Sequence, residues 1–165
     1  TCSKSSKHNN QLLVQKVQPR INQLLLATIL LLMPLLASAL DYRSIGPGKA
    51  VLYDAPSAQA NKLFVIWPGY PVEIIVNLGD WVKVRDNQGG LSWIEAKNLV
   101  AKRTVIVVQD QVEMRQTGDV SSQLISRLEK DVVLDFMETA AGGWVKVRHR
   151  DGLIGFVPAN AVWGL

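Results

Sequence analysis

The pentapeptide Trp81-Val82-Lys83-Val84-Arg85 returns unchanged as Trp144-Val145-Lys146-Val147-Arg148, 63 residues further on. An internal repeat of that spacing confines the chain to small folding units set in tandem. The copies stay in step beyond the pentapeptide, with Gly89 answering to Gly152, Trp93 to Phe156, Ile94 to Val157 and Ala96 to Ala159. Upstream, aligning Val72 with Val132 gives an offset of 60, which predicts three extra residues in a turn of the second copy, where a loop absorbs them.

Both copies read as all-β. Val72, Ile74 and Val76 alternate with Glu73, Ile75 and Asn77, the period of a strand with one face inward. Trp81 to Arg85 continues the alternation, with Val82 and Val84 on one face and Trp81 and Lys83 on the other. The segment 86–90 is a turn by composition, and Leu91 to Ile94 is the next strand. In the second copy Val132, Leu134 and Phe136, then Trp144 to Arg148, then Leu153 to Val157 repeat the meander. Shorter strands are expected at Ala50–Tyr53, Leu63–Ile66, Gln111–Met114 and Leu124–Leu128, with a tight helical turn at Asn98-Leu99 and at Asn160–Val162. Thr104 to Val108 is a β-branched run that joins the copies and could serve both. No long amphipathic helix follows Ala39.

The first 39 residues are a different kind of sequence. Lys16 and Arg20 precede an apolar run from Leu24 to Leu36, which ends in Ala37-Ser38-Ala39. That order is the layout of a secretory signal peptide cut after Ala39, and the run is shorter than the roughly 20 apolar residues of a spanning helix. The expected location is therefore periplasmic or secreted, with no stable membrane insertion after cleavage; a retained anchor is the alternative. Cys2 lies upstream of the apolar run, where it cannot become a lipid-bearing residue at the cut site. Because the chain opens on Thr1 and its first methionine is Met33, we read its numbering as starting from a fragment or an unusual start codon.

Charge follows the leader. The whole chain has 18 Lys and Arg against 14 Asp and Glu, but Lys4, Lys7, Lys16 and Arg20 sit before Ala39, where there is no acid. What remains is balanced, which removes the basic face that nucleic-acid binding needs. Two domains sharing the residues after Ala39 are each small enough to bury little apolar surface, and there is no cysteine among them to supply a disulfide. The copies are therefore expected to pack on each other or to share a strand.

The inventory of reactive groups is poor. After Ala39 there is no cysteine, one histidine, His149, and no Gly-x-Ser-x-Gly elbow, so neither a nucleophile nor a zinc set assembles. We expect no enzyme activity, no metal and no cofactor.

The motifs Gly143-Trp144-Val145-Lys146-Val147 and Gly155-Phe156-Val157, with Val112-Glu113-Met114-Arg115 ahead of them, resemble bacterial-type Src homology 3 domains of cell-envelope proteins. Trp81-Val82-Lys83-Val84 and Ser92-Trp93-Ile94 carry the same pattern in the first copy, although Tyr53-Asp54 stands where the arginine is expected. The resemblance implies two tandem SH3-like barrels, residues 40–103 and 104–165, after a signal segment at 1–39. It also implies a non-catalytic module that binds peptidoglycan, wall peptides or an envelope protein. The alternatives are a periplasmic protein-interaction or scaffolding role and an accessory role in envelope signalling. Such barrels bind between the loop after the first strand and the turn between the central strands, where aromatic faces stack on sugars or peptide. The candidates are Tyr53, Asp54, Trp67, Tyr70 and Trp81, with Arg115 and Trp144 in the second copy. Trp93 and Phe156 are expected in the core, because bulk is kept while identity changes. Trp163 is expected at the barrel bottom or between the copies, and the cations of Lys83–Arg85 and Lys146–Arg150 on a solvated sheet edge.

Overall fold

The computed structural model describes residues 40–165; the expected signal segment at 1–39, the expected cut after Ala39, and Cys2 lie outside the described residues. The chain is all-β, in two antiparallel sheets of seven strands each. The first sheet contains β1 (Tyr42–Ile45), β2 (Ala50–Tyr53), β3 (Lys62–Ile66), β4 (Pro71–Asn77), β5 (Trp81–Arg85), β6 (Leu91–Glu95) and β7 (Leu99–Val100), in the order β3-β2-β6-β5-β4-β1-β7. The second repeats it with β8 (Thr104–Val107), β9 (Gln111–Arg115), β10 (Leu124–Glu129), β11 (Val133–Ala140), β12 (Trp144–Arg148), β13 (Ile154–Pro158) and β14 (Val162–Trp163). A single 3₁₀ turn precedes the last strand of each, at Ala96–Asn98 and Ala159–Ala161. Among the described residues no helix is long and apolar enough to cross a membrane.

Each sheet coils round its own core. Val82 and Val84 of β5 pack with Ile45, Leu52, Val72 and Ile94; Val145 and Val147 of β12 pack with Val107, Met114, Leu134 and Val157. A fully buried valine contributes roughly 1.5–3 kcal/mol, so these alternating pairs are a large share of what each small core can gather.

Several sequence expectations need correcting. The alternation of β4 breaks after Ile74, where the register with β5 slips, and Val76 is exposed; β11 slips equivalently between Phe136 and Glu138. A bulge inserts one unpaired residue, which flips everything beyond it to the other face. Register also shows that Val72, opposite Arg43, corresponds to Leu134, opposite Val105, and not to Val132. That offset is 62 against 63 at the tryptophans, so the second copy gains one residue before Trp144 and not three. The run from Thr104 belongs to the second sheet alone, between β11 and β14. Its counterpart β1, with Tyr42, Arg43 and Ser44, was too polar to announce a strand.

The barrels share no strand and meet through side chains. Trp163 lies edge-on to Tyr42, with ring centroids 5.1 Å apart and planes at 84°. The buried Thr104 hydroxyl donates to the Gly69 carbonyl at 2.6 Å and sits 2.8 Å from the Ser44 hydroxyl, itself 2.5 Å from the Lys102 carbonyl. With one proton each, the two hydroxyls fill two of these three contacts at a time. Lys102 and Asp135 pair at 2.6 Å nearby.

Close approach at the seam requires Gly164, whose φ is +112° and where a Cβ would lie 2.8 Å from the Thr104 carbonyl and 3.1 Å from Pro71. Gly164→Ala is expected to destabilise the chain by more than about 1 kcal/mol in urea unfolding; an unchanged midpoint would mean the seam is loose. Burial, and then the Glu73 carboxylate, push the Tyr42 phenol above its ordinary value of 10.0, against the opposing pull of Arg85 and Arg103. The folded state thus disfavours the phenolate, and its contribution is complete below the ordinary value and lost as pH rises through the raised one. Tyr42→Phe should therefore lose less stability on alkaline titration than the parent chain.

Candidate ligand-binding groove

The same corner is built differently in the two barrels. In the first, the loop after β2 is cinched at its neck: the Asp54 amide donates to the Asn61 carbonyl at 3.2 Å, while the Asn61 amide and side chain donate to the Asp54 carboxylate at 3.0 and 2.7 Å. Asp54 is therefore a loop fastener. Beneath the loop, buried Tyr53 meets Trp81 edge to face, with centroids 5.2 Å apart and planes at 87°. Trp81 is left half-buried in a groove of about 530 Å³, between a wall of Pro56, Ser57, Ala58 and Gln59 and a wall of Glu95, Ala96 and Lys97, with Asp80 beside it. Glu95 and Lys97 pair at 3.0 Å. An indole face flanked by both signs of charge suits a sugar ring or a peptide with charged side chains.

In the second barrel the loop is folded down. Arg115 occupies the register position of Tyr53, opposite Phe156 as Tyr53 is opposite Trp93. Its guanidinium donates to the Ser122 carbonyl at 2.6 Å and pairs with Glu113, which ties the loop back. Ser121 donates both its amide and its hydroxyl to Asp119, at 2.7 and 2.8 Å, and those bonds hold the carboxyl below the usual range. Gly118 then lies against Trp144: a Cβ there would come within 3.1 Å of the indole. Trp144 is half-buried as Trp81 is, but its own loop lies against the indole through Gly118.

The remaining candidates sit elsewhere. Trp67 is 63% exposed with the Lys49 ammonium 4.2 Å from its ring centre, and it does not line the groove. Tyr70 packs against the first core and donates its hydroxyl to the Asn87 side chain at 2.5 Å; burial raises its pKa, partly offset by the Asn87 backbone amide. Trp93 and Phe156 are not core residues, because their neighbours Ile94 and Val157 take the inward positions. Each faces outward, under the ammonium of Lys83 at 5.8 Å and Lys146 at 5.9 Å respectively. Nor are the cations on a sheet edge, since β5 and β12 are interior strands, and Arg85 pairs with buried Glu73 at 3.0 Å. Sequence reading found Trp81 but missed the walls of its groove, which come from loop and turn residues without a periodic signal. Among the described residues no three His, Cys, Asp or Glu side chains gather to hold a metal.

The bacterial SH3 domain family matches residues 46–100 and again 108–164. No curated protein matches the chain. Among solved structures, NlpC2 from Trichomonas vaginalis is 13% identical at a TM-score of 0.35, over 76% of this chain and 48% of that one. NlpC1 from the same organism is 13% identical at 0.34, over 75% and 45%. An NlpC/P60 family protein from Bacillus cereus is 15% identical at 0.34, over 74% and 55%. The chain thus spans about half the length of the solved structures it matches.

Tyr70→Phe deletes one part-buried hydrogen bond and is expected to lower stability by about 1 kcal/mol, read from the denaturant midpoint. Unchanged stability would show that the Asn87 contact is replaced by water.

Proposed function

Because the chain belongs to the bacterial SH3 domain family, in two tandem copies, we propose that it is an exported, non-catalytic binding module whose first barrel holds cell-wall material in the groove over Trp81. The ligand class is peptidoglycan or its stem peptides. The contrast between the copies carries this reading. One tryptophan lies in a groove beneath a fastened loop, while its repeat mate has Gly118 of its own loop against the indole. A stacked sugar or peptide plane on Trp81, oriented by Asp80, Glu95 and Lys97, is the recognition this corner supports. Export is supported by the basic, apolar and small-residue order of the leader, which favours a periplasmic or secreted module.

A second reading, protein interaction, is favoured by β3. It is the terminal strand of its sheet, and Phe64 and Val65 are 67% and 59% exposed. Their register counterparts in β10 are Ser126 and Arg127, the polar residues that ordinarily blunt an edge strand. An extended partner segment could add to this edge.

Pelleting with insoluble sacculi tests the first reading. The parent chain and Trp144→Ala should sediment with sacculi, and Trp81→Ala should remain in the supernatant; equal sedimentation of Trp81→Ala would overturn it. Phe64→Lys should leave sedimentation intact, and loss of binding there would favour the edge strand instead. Amino-terminal sequencing of the exported chain should begin at Leu40.

A further inference from the structure

A larger groove, about 660 Å³, runs along the seam between the barrels. The first barrel lends it Pro47, Pro68 and Gly69, and the second lends Asp131, Val132 and the run Arg148-His149-Arg150. The duplication explains why it is open. The Gly69 amide donates to the Ile45 carbonyl and the Tyr70 amide to Trp67; the Asp131 amide donates to Val107 and the Val132 amide to Glu129, so Val132 stands where Tyr70 stands in the first copy. By the same test His149 matches Asp86, because the Gly152 amide donates to His149 as Gly89 does to Asp86, and Arg150 therefore matches Asn87. In the first barrel the Tyr70 phenol fills this corner and bonds Asn87. In the second a valine stops short of it, and an arginine replaces the asparagine.

Charge then indicates what the groove would take. Asp135 is already neutralised by Lys102 at 2.6 Å, and His149 is engaged with Asp151 at 2.7 Å. Among the described residues Arg148 and Arg150 have no acidic partner, and both are exposed. Asp131 is likewise unpaired, exposed, and held at a left-handed φ of 66°, the conformation its counterpart Gly69 adopts at 81°. Two unpaired guanidinium groups favour a carboxylate, and a lone carboxylate at the same groove favours an ammonium. Pro47, Pro68 and Val132 offer apolar surface for small side chains between them.

We propose that the seam groove is a second binding site, for a short peptide with a free carboxyl terminus, which Arg148 and Arg150 grip while Asp131 receives its amino group and Pro47, Pro68 and Val132 contact its small side chains. It shares no residue with the groove over Trp81. The test titrates the full chain with the dipeptide Ala-Ala, its carboxamide, its N-acetyl form and inorganic phosphate, following binding by calorimetry. Because the probe is soluble, the result stands whether or not the chain sediments with sacculi. Ala-Ala should bind saturably, and amidation should weaken it about tenfold or more, as loss of a charge-assisted contact does. Acetylation and Asp131→Asn should each weaken binding without abolishing it. Arg148→Gln with Arg150→Gln should reproduce the effect of amidation. Val132→Tyr, which restores the filler of the first copy and removes no charge, should block the dipeptide while the fold is retained by circular dichroism. Equal affinity for dipeptide and carboxamide, phosphate binding as tightly as the dipeptide, or undiminished binding by Val132→Tyr would each overturn the proposal.

Discussion

In a strand reading Trp-Val-Lys-Val-Arg, only one face can turn inward, and the choice settles the rest of the barrel. Tryptophan has the greater apolar area, but it shares its face with lysine. Burying that face would strand an ammonium in the core, and an unpaired buried charge costs several kcal/mol. Turning the two valines inward gains roughly 3–6 kcal/mol without such a charge. Val82, Val84, Val145 and Val147 accordingly lie at 3% exposure or less, and Trp81 and Trp144 are left on the outer side. The aromatic surface available for binding is thus a consequence of how the core must be filled. Lys83 and Lys146 make further use of it by covering the outward rings of Trp93 and Phe156.

Once that backbone was duplicated, small substitutions at matched positions were enough to separate the two halves. Tyr53 props Trp81 from below, whereas Arg115 at the same place reaches sideways and ties its loop down. Tyr70 closes a corner that Val132 leaves open. The halves are complementary in this respect: the first barrel is open at its loop and filled at the seam side, and the second is the reverse. These exchanges leave the inward valines Val82, Val84, Val145 and Val147 untouched, so the centre of each core is kept.

The repeat, the all-β class and most strand positions were legible because hydrophobic alternation survives in a linear sequence. Where the alternation is interrupted, the reading failed. The bulge at Ile75 hides the true inward set of β4, and the two-residue shift in aligning Val72 arises because a pattern with period two matches itself at every second position. Trp93 and Phe156 defy the reading because bulk shared between the copies does not require burial: an outward ring under a lysine keeps its bulk for a different reason. The grooves were illegible for a plainer cause. Their walls join residues far apart in sequence, such as Pro56 with Lys97 and Pro68 with Arg150, and no local period connects those pairs.

What makes the seam able to serve as a site is that polar groups fix it. Area burial alone is non-directional and selects no particular register between two small barrels. The Thr104 hydroxyl does select one: it is buried, and any slip that takes it from the Gly69 carbonyl leaves a donor unsatisfied at a cost of about 1–3 kcal/mol. Gly164 against Pro71, and Trp163 edge-on to Tyr42, restrict the same interface from two further directions. A groove whose walls belong to different barrels can be selective only if those walls hold their spacing. The buried hydroxyl pair is therefore as much a requirement of the groove as the arginines that line it.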